Sequence, residues 1–239
     1  MRKALSSLNL LFTTIFLSVI ALIISPFDSR GTLIHGIARF WATTHIRIGG
    51  IKVVTSGLDN IATPPYIFMC NHQSALDIYC LYFSLPLSFR WIAKRQLFLI
   101  PFFGWALKRG GHISIDRENP REALKAIDEA ARKIRDGMNI IIFPEGTRSM
   151  DGSLLPFKKG GFSLALRAMV PIVPVGIVGT STLQPKGSFL PKRKGVIYIH
   201  IGEPIPLEGM SRSAKGEVMN SVRASIERLM QTGEGSSDG

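Results

Sequence analysis

Cysteine, acidic charge and nucleic-acid signatures are what this 239-residue chain has little of. Its two cysteines, Cys70 and Cys80, cannot build a disulfide framework and point to a reduced, cytosol-facing chain. Cys70 and His72 stand close enough to share a metal. No further ligand follows at usable spacing, so no metal and no cofactor is expected. Only 17 Asp and Glu oppose 29 Lys and Arg, a net charge of +12 that suits anionic headgroups, phosphorylated substrates or nucleic acid. Zinc-finger spacing, an aromatic RNA-binding pattern and a basic heptad helix are all missing, so nucleic acid is not an expected partner. There is no internal repeat, and no linker long enough to divide the chain.

Charge is also absent between Lys3 and Asp28. Residues 8–27 are almost all apolar, and about 20 helical residues span roughly 30 Å, the thickness of a hydrocarbon core. The run ends in I-S-P-F-D-S-R without a small-x-small site, which argues against a cleaved signal peptide. A simple spanning helix would keep Arg2 and Lys3 inside and carry the rest of the chain outside. Residues 32–48 hold Leu33, Ile34, Ile37, Phe40, Trp41 and Ile48 with Arg39, His45 and Arg47 interspersed. Two readings of that amphipathic helix stay open, one at the headgroup boundary and one covering a sheet. Residues 1–48 are read as a membrane anchor entering from one side, 49–232 as one domain, and 233–239 as a disordered tail of small residues.

From Ile51 short apolar runs alternate with helical stretches. Strands are predicted at 51–55, 66–70, 89–93, 112–115, 139–143, 172–178 and 196–201. Helices are predicted at 75–84, 98–107, 120–136, 162–169 and 213–230. The clearest helical stretch, 121–135, sets Ala123, Leu124, Ile127, Ala130, Ala131 and Ile134 on one face and stops at Gly137. The alternation implies an α/β fold, a single domain with a mostly parallel sheet flanked by helices. Prolines within 170–178 assign that strand to an edge.

Two boxes carry chemistry. N-H-Q-S-A-L-D at 71–77 comes after a continuously apolar, buried-strand run. Ser74 is the expected N-cap of the next helix, which puts Asp77 in its first turn, where a carboxylate is favoured. From there Asp77 reaches back to His72, fixes its tautomer and stabilises the imidazolium that forms, as in a catalytic triad without the serine. A strand-end histidine bonded to a capping aspartate, with no chemistry, remains the bland alternative. F-P-E-G-T-R-S at 143–149 comes after a second buried run. If the strands are parallel, both boxes, Lys94 and Arg117 gather outside the same carboxyl ends of the sheet.

An H-x-x-x-x-D box and an F-P-E-G-T-R-S box in this order resemble the glycerolipid acyltransferases, of the 1-acyl-sn-glycerol-3-phosphate acyltransferase type. Lys94 with Pro101-x-x-Gly104, the run ending at Arg117, and V-P-I-V-P-V at 170–175 extend the resemblance over residues 51–202. The resemblance implies direct transfer of a fatty acyl group from acyl-CoA or acyl-carrier protein to the sn-2 hydroxyl of lysophosphatidic acid, giving phosphatidic acid. His72 would be the general base, since a histidine titrates near working pH, with Asp77 orienting it. Backbone N–H groups of the strand-to-helix turn would hold the oxyanion. Lys94, Arg117 and Arg148 would grip the acceptor phosphate, and Glu145, with Gly146 and Thr147, would position the acceptor.

A cytosolic donor favours the one-sided anchor, at a bacterial inner membrane with the domain facing the cytoplasm. Membrane lipids complete the expected partners. Alternatives are transfer to another lysophospholipid, transacylation, or a non-catalytic lipid-binding protein on the same fold. G-F-S-L-A at 161–165 misses the G-x-S-x-G of a serine hydrolase by its last residue. The apolar stretch 98–105 is read as core, with an acyl-chain wall at the membrane face as the alternative. Lys186 to Lys194 reads as a solvated basic loop, with a hold on anionic lipid as the alternative.

Overall fold

A computed structural model of the chain describes residues 2–115, 120–188 and 190–234. It begins with α1 (Arg2–Ile24) and α2 (Thr32–Ile48). Between them buried Asp28 accepts hydrogen bonds from the backbone N–H groups of Thr32 and Ile34, both at 2.8 Å, which satisfies two early donors of α2. Next come β1 (Ile51–Ser56), β2 (Ile67–Cys70), α3 (Leu76–Ser84), β3 (Phe89–Lys94), α4 (Arg95–Phe98), α5 (Phe103–Arg109) and β4 (Ile113–Ile115). The chain continues through α6 (Pro120–Arg135), β5 (Asn139–Ile142), α7 (Lys159–Ala168), β6 (Ile172–Val178), α8 (Thr180–Leu183), β7 (Gly195–Ile201) and α9 (Lys215–Glu234).

The strands form one sheet in the order β1-β7-β6-β2-β5-β3-β4. Every pairing is parallel except β6 with β7, so β1 and β7 run against the other five. The sheet is mostly parallel, as expected. β2 and β5 are buried along their whole length, because helices cover both faces and alternate side chains enter different cores. Phe68, Cys70, Ile141, Val173 and Val175 join α2 and α3 on one face. Ile67, Met69, Ile140, Ile142 and Ile172 join α6, α7 and α9 on the other. Cys70 and Cys80 are both free and buried.

Five expectations change in physical detail. β6 lies inside the sheet, between β7 and β2, and not at an edge. Pro174 is tolerated there because it sits one residue beyond the last β6–β7 pair, Val175 with Ile201, so its missing N–H removes no ladder bond from that pairing. The helix expected over 98–107 is two helices, α4 and α5, because Pro101 supplies no N–H and bars helical geometry at Ile100. Residues 98–105 are not core: Leu99 is 70% exposed and Trp105 52%. Leu124 is exposed too, while Ala130, Ala131 and Ile134 carry the buried face of α6. The first two residues of the tail expected over 233–239 belong to α9, which runs through Glu234; residues 235–239 lie outside the described residues.

α2 covers the domain core with one face and leaves the other exposed. Ala42 and Ile46 are buried in the core above α3, while Leu33, Phe40 and Ile48 are exposed. Gly137 ends α6 as expected. It takes φ +102, its N–H bonds to Ile134 O at 3.0 Å and that of Met138 to Lys133 O at 3.1 Å, the paired bonds of a left-handed helix stop.

Candidate active site

β2 and β5 are neighbours and parallel, so the segments that leave their carboxyl ends meet at one sheet edge. His72 stands two residues past β2, and Glu145 three past β5. Asn71 anchors the first box to β6: its amide donates to Ile177 O at 2.8 Å and accepts from Ile177 N at 2.7 Å. That two-way bond replaces a rung of the ladder where the chain must leave the strand. The two boxes are then tied together at His72. Its backbone N–H donates to Glu145 Oε1 at 2.6 Å, and its carbonyl accepts from Ser149 N at 2.8 Å.

His72 Nδ1 and Asp77 Oδ2 are 2.8 Å apart. The Asp77 side chain is fully buried and that of His72 is 15% exposed. Asp77 Oδ2 also accepts from the backbone N–H groups of Gln73, at 2.8 Å, and Ser74, at 2.9 Å. A carboxylate so held demands the Nδ1–H tautomer and leaves Nε2 as the basic nitrogen. The imidazole lies flat on Phe143, with centroids 3.8 Å apart and planes 9° apart, and Phe143 stacks in turn on Trp91. An aromatic face at that distance stabilises an imidazolium as it forms. Phe143 carried no role in the sequence reading, because a phenylalanine at a strand end is usually core.

Ser74 makes the expected capping bond, although the helix boundary falls one residue later, at Ala75. α3 starts at Leu76 behind Ala75, while the Ser74 hydroxyl donates to Gln184 O at 2.7 Å and accepts from Leu76 N at 3.1 Å. Asp77 does fall in the first turn. Three N–H groups of this turn, those of His72, Gln73 and Ser74, serve carboxylates and are not on offer to an oxyanion.

Glu145 also differs from its expected place against the acceptor. It is 2% exposed, and its second oxygen accepts from Leu155 N at 3.0 Å. Burial pushes its carboxyl up to about 7, against those two N–H groups, which favour the ionised form. Arg223 of α9 braces the same loop by donating to the Leu154 and Leu155 carbonyls, both at 3.0 Å. Glu145 therefore clasps the two boxes together. Glu145→Gln sets an amide against an N–H donor, and a buried donor left unpaired costs about 1–3 kcal/mol. A fall of several degrees in Tm is expected, at roughly 2–4 °C per kcal/mol for a chain of this size. A melting curve indistinguishable from wild type would refute the clasp.

Glu145 sits in the tight turn 143–146, closed by Gly146 N to Phe143 O at 3.0 Å, where Gly146 takes φ +72. Beyond it Thr147 and Arg148 reach the wall of a cavity of about 870 Å³ that also holds His72, Lys94 and Gly146. The cavity continues past Trp91 and Phe143 to apolar side chains of α1, α2 and α5, among them Leu17, Ala21, Ile37 and Leu107. Lys186 was read as part of a solvated loop, yet it lines the same cavity and donates to Arg148 O at 2.8 Å. Only the fold of the 184–194 loop could reveal that. Arg117 lies outside the described residues.

The acyltransferase family model matches residues 52–178, which contain both boxes and five of the seven strands. The chain belongs to the acyltransferase family. Among its relatives, the chloroplastic 1-acyl-sn-glycerol-3-phosphate acyltransferase BAT2 of Brassica napus is 38% identical over 72% of this chain and 50% of its own length. The Cocos nucifera 1-acyl-sn-glycerol-3-phosphate acyltransferase is 35% identical over 93% of this chain and 72% of its own. This acyltransferase spans between half and about three-fifths of the length of several curated relatives that it matches. The crystal structure of the 1-acyl-sn-glycerophosphate (LPA) acyltransferase PlsC from Thermotoga maritima superposes with a TM-score of 0.80 at 28% identity. That match covers 100% of this chain and 98% of the other.

Proposed function

We propose that this acyltransferase moves a fatty acyl group from acyl-CoA or acyl-carrier protein to the sn-2 hydroxyl of lysophosphatidic acid. The observation that carries the reading is the His72–Asp77 contact in the wall of a cavity with cations at one end and apolar helices at the other. The acceptor hydroxyl approaches Nε2 of His72, which takes its proton as the oxygen attacks the thioester carbonyl carbon. Asp77 and the face of Phe143 stabilise the imidazolium. The tetrahedral intermediate collapses, the C–S bond breaks, and the departing thiolate takes the proton from His72 to leave as the thiol. The acceptor oxygen occupies the place of a triad serine, so no acyl-enzyme forms. The relatives named above, called 1-acyl-sn-glycerol-3-phosphate acyltransferases, support this choice of acceptor.

Lys94, Arg148 and Lys186 line the cavity beside His72 and together suit a phosphate of nearly two charges. The apolar end receives the acyl chain. Residues 8–27, 20 residues of mean hydropathy 2.4 and mostly exposed, serve with the outer face of α2 as the anchor. The catalytic domain, from residue 49 to the end of α9, sits on the side where the donor is made.

The decisive assay offers labelled acyl-CoA and acyl-carrier protein to the purified chain, with a panel of lysophospholipids and glycerol 3-phosphate as acceptors. Preference for lysophosphatidic acid is expected. Faster transfer to a lysophospholipid with a capped phosphate, or to glycerol 3-phosphate, would overturn the acceptor assignment. In the same assay Arg148→Ala should raise KM for lysophosphatidic acid roughly 10- to 100-fold, since a charge-assisted hydrogen bond contributes about 1.5–3 kcal/mol. Arg148→Lys should recover part of the loss, because an ammonium cannot make the two-pronged contact. Equal rises in KM for donor and acceptor, with an early melt, would mean that Arg148 only holds the turn.

A further inference from the structure

Exposed apolar side chains gather on α1 and at a second place, the α4–α5 segment. There Leu97, Leu99, Ile100, Phe102 and Trp105 are each between 40% and 70% exposed. We propose that this segment, residues 95–109, is a wedge by which the catalytic domain itself enters an anionic lipid leaflet beside the cavity that it helps to line. It acts in addition to the helical anchor.

The backbone goes out of its way to present these side chains. Phe103 N bonds to Pro101 O at 2.7 Å, and Phe102 between them takes φ +60 and ψ −58. This is the positive-φ γ-turn, rare and strained, and a bulky residue in it is a genuine outlier. Such strain persists only where the surroundings over-determine it, and it collects at functional places. Gly104 supplies the tight fit: a Cβ there would lie 2.4 Å from Phe98 O, so α4 and α5 close on each other as a stiff hairpin. A stiff hairpin with its aromatic residues turned outward is suited to insertion.

Charge and position select the occupant. No acidic residue occurs between Asp77 and Asp116, while exposed Lys94, Arg95, Lys108 and Arg109 flank the apolar tip. Cations around an apolar tip match anionic headgroups over an acyl layer, and tryptophan concentrates at that boundary. The patch is continuous with α1, the long apolar helix that carries residues 8–24 of the anchor. α5 lies against α1, and Ala106, Ala21 and Ile34 share one small apolar cluster. Leu97, Phe103 and Leu107 also line the cavity, so a wedge seated in lipid brings that wall of the cavity to the leaflet. An acidic carrier protein would use the cations but leave Leu99, Ile100 and Trp105 without apolar neighbours.

The test uses the full chain in phosphatidylglycerol vesicles whose acyl chains carry bromine, which quenches tryptophan in contact with the hydrocarbon. Subtracting the emission of Trp105→Phe from that of wild type isolates Trp105 from Trp41 and Trp91. The Trp105 emission should fall at least twofold relative to unbrominated vesicles. An unquenched Trp105 overturns the wedge, and so does one that responds only to added acyl-carrier protein. This readout needs no turnover, so it stands or falls separately from the proposed reaction. As a second measure, Leu99→Glu with Ile100→Glu should lower kcat/KM at least tenfold for bilayer-embedded acceptor. For a monomeric short-chain acceptor it should stay within about twofold. Equal losses on both would make the segment merely structural and overturn the proposal.

Discussion

His72→Ala lowers kcat by roughly 10²–10⁴-fold, the range that a positioned general base supplies. KM for donor and acceptor should change by only a few-fold, because the proposed phosphate and acyl contacts lie on other residues. The imidazole is replaced at little structural risk. The backbone of His72 stays tied through its N–H to Glu145 and its carbonyl to Ser149, and these bonds do not involve the ring. Loss of the stack on Phe143 is expected to cost a few degrees in Tm at most. Steady-state kinetics beside a melting curve decides the matter. A folded His72→Ala protein that keeps more than a tenth of wild-type turnover would end the base assignment and leave His72 as a capped strand-end residue.

Asp77→Asn should be nearly as damaging to turnover and more damaging to stability. One oxygen of Asp77 accepts three N–H donors, from His72, Gln73 and Ser74, and the side chain is fully buried. Asparagine keeps one accepting oxygen but loses the charge that stabilises the imidazolium. Removing that charge from a serine-protease triad costs about 10⁴-fold in kcat. A loss of about 10²–10⁴-fold is expected here, with KM for the donor little changed. Hydrogen bonds to a charged group contribute about 1.5–3 kcal/mol each, so weakening even one should lower Tm by several degrees. If Asp77→Asn melts early yet turns over at the wild-type rate, Asp77 is a capping residue and nothing more.

The Asp77–His72 contact was visible in the spacing of N-H-Q-S-A-L-D, because a helix started by the next few residues returns position 77 toward position 72. The roles of Glu145 and Lys186 were not. Each depends on a partner far along the chain. Glu145 meets His72 only because β5 docks beside β2, and Lys186 meets Arg148 only because the loop after β6 folds back over the turn at 143–146. A buried carboxylate facing two backbone N–H groups looks, in sequence, the same as one facing substrate.

Local chemistry settled the strands, most helices and the residues at the strand ends. The short apolar runs at 67–70 and 139–142 are strands buried on both faces, and Gly137 ends α6 because a glycine takes the left-handed stop without steric cost. Strand order lay beyond that reach. Pro174 looked like an edge residue because sequence cannot say where β7 ends relative to β6. Likewise 98–105 looked like core because apolar content predicts burial on average, while burial itself depends on whether another element arrives to cover the residue. The described fold leaves Leu99, Ile100 and Trp105 between 44% and 70% exposed. Hydrophobicity is a property of the side chain, but its burial is a property of the packing around it.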